Sequence, residues 1–422
     1  MKRFALLLYI LTLCCSAARA IYFKHIGIKE GLSQLSVLSI YQDELGRMWF
    51  GTEEGLNLYD GVRVTAFKPT LSDVGNRVNL VGNRVDFITG DKKGNLYFCN
   101  DNSLLQYNLH TEQFTCLRSK GVSTVASCRG EVWVGVNDSL FIWSPEEQTL
   151  QYQFKLESPE LRATCIWIDS QSRCWVGTRK GLFMKKEDEL LTCVIPSDDI
   201  YSLYEDSHLN LWISTRMNGL YLKDSKNHFE HFHYNVSQTE GIANNQVRQV
   251  MEDNSGFIWI GTFFGLCRYN PYLGTFNVFE ADKLTGSLEH SSVFPIYKDR
   301  QGTIWLGTYY GGVNYFNPEM DLFKYYMADN SRDDCLSFPF VGKMVEDREG
   351  RVWICTEGGG LNLFDRKSER FTHFAANPQV NSIAHNNLKD IAYSAKRNKL
   401  YIGTHTYLPA QSRRLLCHTL LS

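Results

Sequence analysis

The sequence predicts an all-β fold, a β-propeller of four-stranded antiparallel blades, and three observations carry that prediction. The pattern Asp-x-x-Gly-x-(apolar)-Trp-(apolar)-Gly-Thr-x-x-Gly-Leu recurs along the chain, clearest over Asp43 to Thr52 and Asp253 to Thr262. Its aromatic position falls at Trp49, Tyr97, Trp133, Trp175, Trp212, Trp259, Trp305, Trp353 and Tyr401, at separations of 36 to 48 residues, a period that reads as propeller blades or a solenoid. Aromatic residues make up 13% of the 422 positions, a bias toward side chains that suit half-buried strands.

Each unit holds four short apolar stretches, in the first copy Val37 to Tyr41, Met48 to Thr52, Gly55 to Tyr59 and Val64 to Phe67. They run four or five residues between Gly, Asn and Asp turn signals, where a helical repeat would show a 3.6-residue period. The Asp and Gly before each aromatic mark the first hairpin: Asp accepts backbone N–H bonds in a tight turn and Gly supplies positive φ. The third repeat lacks the Asp and the fifth carries Leu209 in place of the Gly, so the turn tolerates change. Trp49, Trp133, Trp175, Trp212, Trp259, Trp305 and Trp353 lie inside a strand and are read as core, a structural role.

The ends of the chain carry separate signals. Lys2 and Arg3, the apolar run Phe4 to Leu13 and the small-residue pattern Ala18-Arg19-Ala20 predict a cleaved signal peptide over residues 1–20. The apolar run is shorter than the ~20 residues a membrane anchor needs. A lipoprotein signal at Cys14 is disfavoured by bulky Leu13 before it. No later stretch is long and apolar enough to cross a bilayer, so no membrane segment is expected in the mature chain. Phe23 to Ile26 copies the end of other units and is expected to close the last blade of a ring, which removes an exposed sheet edge. The expected domains are a seven-bladed propeller over 21–320, the first blades of an incomplete second propeller over 321–406, and an out-of-pattern tail over 407–422. One ring of eight or nine blades is the alternative. Because the pattern stops inside its ninth copy, the chain is expected to be a truncated piece of a longer parent.

These motifs, above all Ile304-Trp305-Leu306-Gly307-Thr308-Tyr309-Tyr310-Gly311-Gly312-Val313-Asn314-Tyr315-Phe316-Asn317-Pro318, resemble the two-component regulator propeller repeats of bacterial hybrid two-component sensors. The resemblance covers nearly all of residues 21 to 406. It implies an exported region of two seven-bladed propellers and a small β-sandwich, followed by a membrane helix, a histidine kinase, a receiver and a DNA-binding domain. It further implies a periplasmic location, an oligosaccharide ligand and room for a homodimer in the full-length sensor. This chain is then expected to be a ligand-sensing module without its own kinase, and not an enzyme. A stand-alone glycan-binding propeller without output is the alternative, and a propeller lyase the next.

In a four-stranded meander the turn between strands two and three shares a ring face with the link from strand four to the next blade. The Gly-Thr-x-x-Gly turns therefore gather Glu53, Glu54, Asn137, Asp138, Arg179, Lys180, Arg216, Met217, Phe263, Phe264, Tyr309, Tyr310 and Glu357. From this set Arg179, Arg216, Phe263, Phe264, Tyr309, Tyr310 and Glu357 are the candidate ligand-binding residues. Aromatic faces cover pyranose rings, and Arg gives bidentate contacts to carboxylate or sulfate, which suits a sugar acid or a sulfated glycan.

No catalytic residue, metal site or cofactor is expected. His228, His231 and His233 lie on one outer strand, where His231 and His233 share a face and His228 takes the other, so three ligands do not converge. No Gly-x-Ser-x-Gly, His-Glu-x-x-His or phosphate-binding loop is present. With 44 basic against 46 acidic side chains the net charge is −2, which gives no nucleic-acid footprint. Ten cysteines follow residue 20 without a Cys-x-x-Cys pair. Several occupy small buried slots, so few or no disulfides are expected.

Overall fold

The structure, a computed structural model, describes residues 21–68, 80–158, 160–187, 189–235, 241–282, 286–319, 326, 328, 335–366, 368, 370–380 and 382–404, together with the backbone of strand Cys417–Leu420. The signal peptide expected over 1–20 lies outside these residues, as does most of the tail expected over 407–422. The chain divides into two compact units, Met1–Asp321 and Leu322–Ser422.

In the first unit the short apolar runs form seven antiparallel sheets, each a four-stranded blade. Their innermost strands are Val37–Gln42, Val85–Gly90, Val122–Cys128, Ala163–Ile168, Ile200–Glu205, Val247–Glu252 and Val293–Lys298 in blades 1 to 7. Each inner strand packs on the next, and that of blade 7 packs back on that of blade 1, so the seven blades close a ring. Blade 7 takes its outer strand from the other end of the unit. Lys24–Ile26 pairs with Val313–Phe316 in the register Lys24 to Tyr315, His25 to Asn314 and Ile26 to Val313. Blades 7 and 1 are further joined by Gly312 N–H donating to the Leu35 carbonyl at 3.0 Å and by Gln42 Nε2 donating to Gln301 Oε1 at 3.2 Å.

The core is divided among the seams between blades. Trp49 and Leu56 of blade 1 pack with Phe98 and Leu105 of blade 2, Trp212 of blade 5 with Val250 and Ile260 of blade 6, and Trp305 of blade 7 with Ile40 and Phe50 of blade 1. All seven motif tryptophans are buried, from Trp49 at 0% to Trp133 at 9% exposure. Blades approach so closely that the motif glycine has a steric reason. A Cβ at Gly51 would overlap Ser39 Oγ and the Val85 carbonyl oxygen of the next blade. Cys99 and Cys355 fill the same slot in their repeats and are buried free thiols, as is Cys267, whose thiol burial pushes up to about 12.

The second unit holds a four-stranded sheet, Val341–Glu346, Val352–Thr356, Leu361–Asp365 and Arg370–Phe374, and a three-stranded one, Leu388–Ser394, Lys399–Thr404 and Cys417–Leu420. Trp353, Leu361, Leu388, Leu400 and Ile402 form the core between them. The third strand of the latter sheet comes from the stretch read as an out-of-pattern tail, in the register Leu400 to Leu420 and Gly403 to Cys417. Backbone pairing along an open edge asks for an extended segment, not for the Gly-Leu motif.

Candidate functional site

The Gly-Thr-x-x-Gly sequence builds a rim. Thr52 Oγ1 accepts the Glu54 N–H at 3.2 Å and donates to the Gly55 carbonyl at 3.0 Å. Thr178 and Thr262 do the same with Lys180 and Gly181, and with Phe264 and Gly265. Gly55 takes φ +114, open to glycine at no steric cost. In blades 5, 6 and 7 the turn is then tied to the residue just before its own inner strand: Arg216 N–H donates to the Asp199 carbonyl at 2.8 Å, Phe263 to Gln246 at 2.9 Å and Tyr309 to Ser292 at 3.1 Å. Turn side chains and the first residues of the inner strands are therefore held side by side.

Within this rim lies a cavity of about 870 Å³ lined by inner strands of all seven blades. Its charged lining is Arg84, Arg162, Arg179, Lys180, Arg216 and Arg248 against Asp86, Glu160 and Asp199. Six bases face three acids in a chain whose net charge is −2, so positive charge is concentrated at this one concavity. Three bases are paired within the rim: Arg84 Nε with Asp86 Oδ1 at 2.7 Å, Lys180 Nζ with Glu160 Oε2 at 2.5 Å, and Arg216 Nε with Asp199 Oδ2 at 2.9 Å. Burial raises the Asp86 carboxyl, and the Arg84 guanidinium opposes that rise.

Blades 5 to 7 add aromatic surface. The Arg216 guanidinium lies 4.9 Å from the Tyr201 ring centre, and Tyr201 meets Phe294 edge-on at 5.8 Å. Arg248 lies 4.4 Å from Phe294 and 5.3 Å from Phe263, both within reach of cation–π attraction. Its Nε is buried without a hydrogen-bond partner among the described residues. Burial, with a further push from Arg216, holds the Arg248 guanidinium below its ordinary range.

The residues read from the turns do not all converge. Arg179 and Arg216 line the cavity, and Phe263 flanks it through Arg248. Tyr309 packs on Tyr310 at 4.3 Å outside the lining, while Phe264 and Tyr310 are 55% and 56% exposed on the rim. Glu357 belongs to the second compact unit, where it pairs with Lys389 at 2.7 Å and joins none of the others within its own unit. The turn motif fixes a rim position, but whether a side chain reaches inward depends on the curvature of the ring. Arg84, Arg162, Tyr201, Arg248 and Phe294 were missed because they sit on inner strands or the links before them. A usable signal was the polar or aromatic residue flanking the first apolar residue of each inner strand, as in Arg84-Val85, Arg162-Ala163 and Val247-Arg248.

The histidines stand apart from the cavity. His231 and His233 lie with ring centres 3.7 Å apart at a tilt of 50°, and His228 pairs with Asp224 at 3.0 Å. No group of three or more His, Cys, Asp or Glu able to hold a metal occurs among the described residues, and no histidine lines the cavity.

Comparison with known proteins agrees with this architecture. Residues 31–54, 241–264 and 287–310 match the family described as Two component regulator propeller, so the chain carries that repeat. A 39-residue stretch, 9% of this chain and 3% of the relative, is 51% identical to Histidine kinase P4 of Formosa agariphila. Among solved structures, the extracellular domain of a B. thetaiotaomicron protein described as a hybrid two component system is similar at TM-score 0.58 and 20% identity, over 91% of this chain and 57% of that one. The chain thus spans little more than half of that structure. A streptogramin B lyase is similar at TM-score 0.56 and 13% identity, over 71% of this chain and 99% of the lyase. At these identities the likeness is one of fold.

Proposed function

We propose that this chain is the ligand-sensing propeller region of an exported hybrid two-component sensor, and that its ligand is an oligosaccharide received at the basic mouth of the seven-bladed ring. The single observation that carries the reading is the cavity itself, where cationic and aromatic side chains from separate blades meet in a concavity of about 870 Å³. Tyr201 and Phe294 offer apolar faces to sugar rings, and the arginines offer donors to their oxygens. On this reading residues 1–20 direct export to the periplasm, and the second unit begins a further propeller. The region works by binding and not by catalysis. The propeller-lyase reading calls for a histidine in the channel, and the lining holds none.

Binding signals only where the ligand favours one arrangement of the sensor over another, since equal affinity for both shifts nothing. A thermal-shift screen of the chain against neutral, acidic and sulfated plant and host oligosaccharides tests the reading. A saccharide-specific rise in melting temperature, abolished by Tyr201→Ala together with Arg216→Ala, is expected. A cooperative melt unmoved by every saccharide would overturn it.

A further inference from the structure

The half-buried arginines of this chain are as a rule given carboxylates. Arg47, Arg173 and Arg351 each donate Nε to the buried aspartate of their own hairpin, Asp43, Asp169 and Asp347, at 2.8, 2.5 and 2.8 Å. Arg248 breaks that rule. It has no ion pair and no hydrogen bond among the described residues, its Nε is buried, and the side chain lines the cavity between Phe294 and Phe263. Arg268 also has an unpartnered buried Nε, but it donates through its terminal nitrogen to Asn277 and lies outside the cavity. Arg162 and Arg179 share the lining with Arg248 and are likewise without carboxylate partners among the described residues. A buried guanidinium Nε with nothing to donate to is costly unless something else supplies the acceptor.

We propose that the oligosaccharide taken at this mouth is acidic, and that Arg248 receives its carboxylate or sulfate group, with Arg162 and Arg179 of blade 4 extending the charge along the same arc of the rim. The assignment rests on the ligand-sensing reading and narrows it. A planar guanidinium held between two aromatic rings loses little freedom on accepting a bidentate oxyanion. Arg216, already engaged by Asp199 and stacked on Tyr201, stiffens the neighbouring wall. The repulsion that Arg216 exerts on Arg248 is relieved when an anion sits between them.

Calorimetry on the full chain with two matched pairs of probes tests the proposal: a galacturonic acid tetrasaccharide against its methyl ester, and a sulfated galactose tetrasaccharide against its desulfated form. The acidic member of at least one pair is expected to bind about tenfold or more tighter than its neutral partner, and the advantage should shrink as sodium chloride is raised. Which pair shows it separates carboxylate from sulfate. Arg248→Gln should remove most of that advantage, lowering the affinity for the acidic member far more than that for its neutral partner, with an unaltered ligand-free melt as the folding control. Arg162→Gln, at an exposed position, should remove a smaller part. Neutral members that bind as tightly as acidic ones, or a charge preference that survives Arg248→Gln, would overturn the acidic assignment while leaving saccharide sensing standing. Absence of binding by both acidic probes overturns it too, and the neutral saccharides of the thermal screen then decide the sensing reading separately.

Discussion

The indole Nε1 of Trp259 donates to Asp253 Oδ2 at 2.8 Å, across the hairpin that separates them by six residues. The other oxygen of Asp253 accepts the N–H groups of Ser255 and Phe257 at 2.9 and 3.0 Å. One buried carboxylate thus shapes the turn and anchors the core tryptophan. The same bond recurs at Trp49, Trp175, Trp212, Trp305 and Trp353, at 2.8 to 2.9 Å. It explains why the Asp and the Trp keep their spacing while residues between them vary.

Replacing that carboxylate should therefore cost stability in proportion to the donors it leaves unmet. Asp253→Ala strands an indole N–H and two backbone N–H groups, and about 2–3 kcal/mol is expected in urea unfolding. Asp253→Asn should cost less than alanine but still clearly, because an amide nitrogen then faces one of the donors. Asp91→Asn should be milder, since the side-chain donors to its Oδ2 are the Tyr97 hydroxyl, at 3.2 Å, which can turn to accept, and the Asn95 amide, at 2.8 Å, which carries its own acceptor oxygen. Equal losses at the two sites would contradict this account.

The hairpin glycine of the motif gives the opposite sign where it is missing. Leu209 sits at φ +64 in the position that Gly46, Gly256 and Gly302 occupy at +85, +81 and +82, and its side chain is 47% exposed. Left-handed backbone costs a branched side chain about 1–2 kcal/mol, while glycine loosens the unfolded chain by about 0.4–1 kcal/mol. Leu209→Gly should stabilise by roughly 0.5–1 kcal/mol, read as a higher melting temperature.

Ring closure depends on a few residues just before the first blade. Phe23 is 6% exposed and meets Phe316 at 5.1 Å and Phe279 at 6.3 Å, joining the outer strand of blade 7 to blade 6. Phe23→Ala should cost about 3–4 kcal/mol. The loss should appear in the single transition of the first unit, because an opened seam weakens every blade.

Acid should weaken the outer part of blade 5. Burial first, and the neighbouring His233 charge with it, lowers the His231 pKa, although the Asn218 carbonyl at 2.6 Å partly opposes this. A histidine held below its unfolded value contributes stability that is complete above about pH 6.5 and is lost as pH falls toward the folded value. His231→Phe keeps the stack on Tyr221, whose ring centre is 3.7 Å away, and removes the titration. Melting temperature followed from neutral pH down to pH 5 should fall less steeply in the variant than in the parent.

The blades were legible in the sequence because the structural unit repeats, so one noisy copy is read against eight others. Tyr97 and Trp133 could be placed in the tryptophan slot although one changes the residue and the other loses its aspartate, with Glu131 Oε2 at 3.2 Å serving instead. The rim was legible for a related reason, since Thr52, Thr178 and Thr262 set the same turn. What the repeat hides is the binding surface. Arg84 and Arg162 share the slot before the inner strand that Ser36, Gly121, Asp199, Gln246 and Ser292 fill elsewhere, Arg248 sits two residues further on, and only the closed ring brings the three to one cavity. Phe263, Phe264, Tyr309 and Tyr310 all stand on the rim outside the lining, and only Phe263 reaches a lining side chain, Arg248. Glu357 obeys the same motif in a different compact unit, a distinction that no local pattern contains.

The most direct test of the central claim is amide hydrogen exchange of the chain with and without the first saccharide that raises its melting temperature. Slowed exchange is predicted at the beginnings of Ile200–Glu205, Val247–Glu252 and Val293–Lys298 and at the turns carrying Arg216 and Phe263. Protection confined to outer strands such as Phe229–Phe232 or Thr275–Phe279, with the channel mouth unchanged, would contradict it.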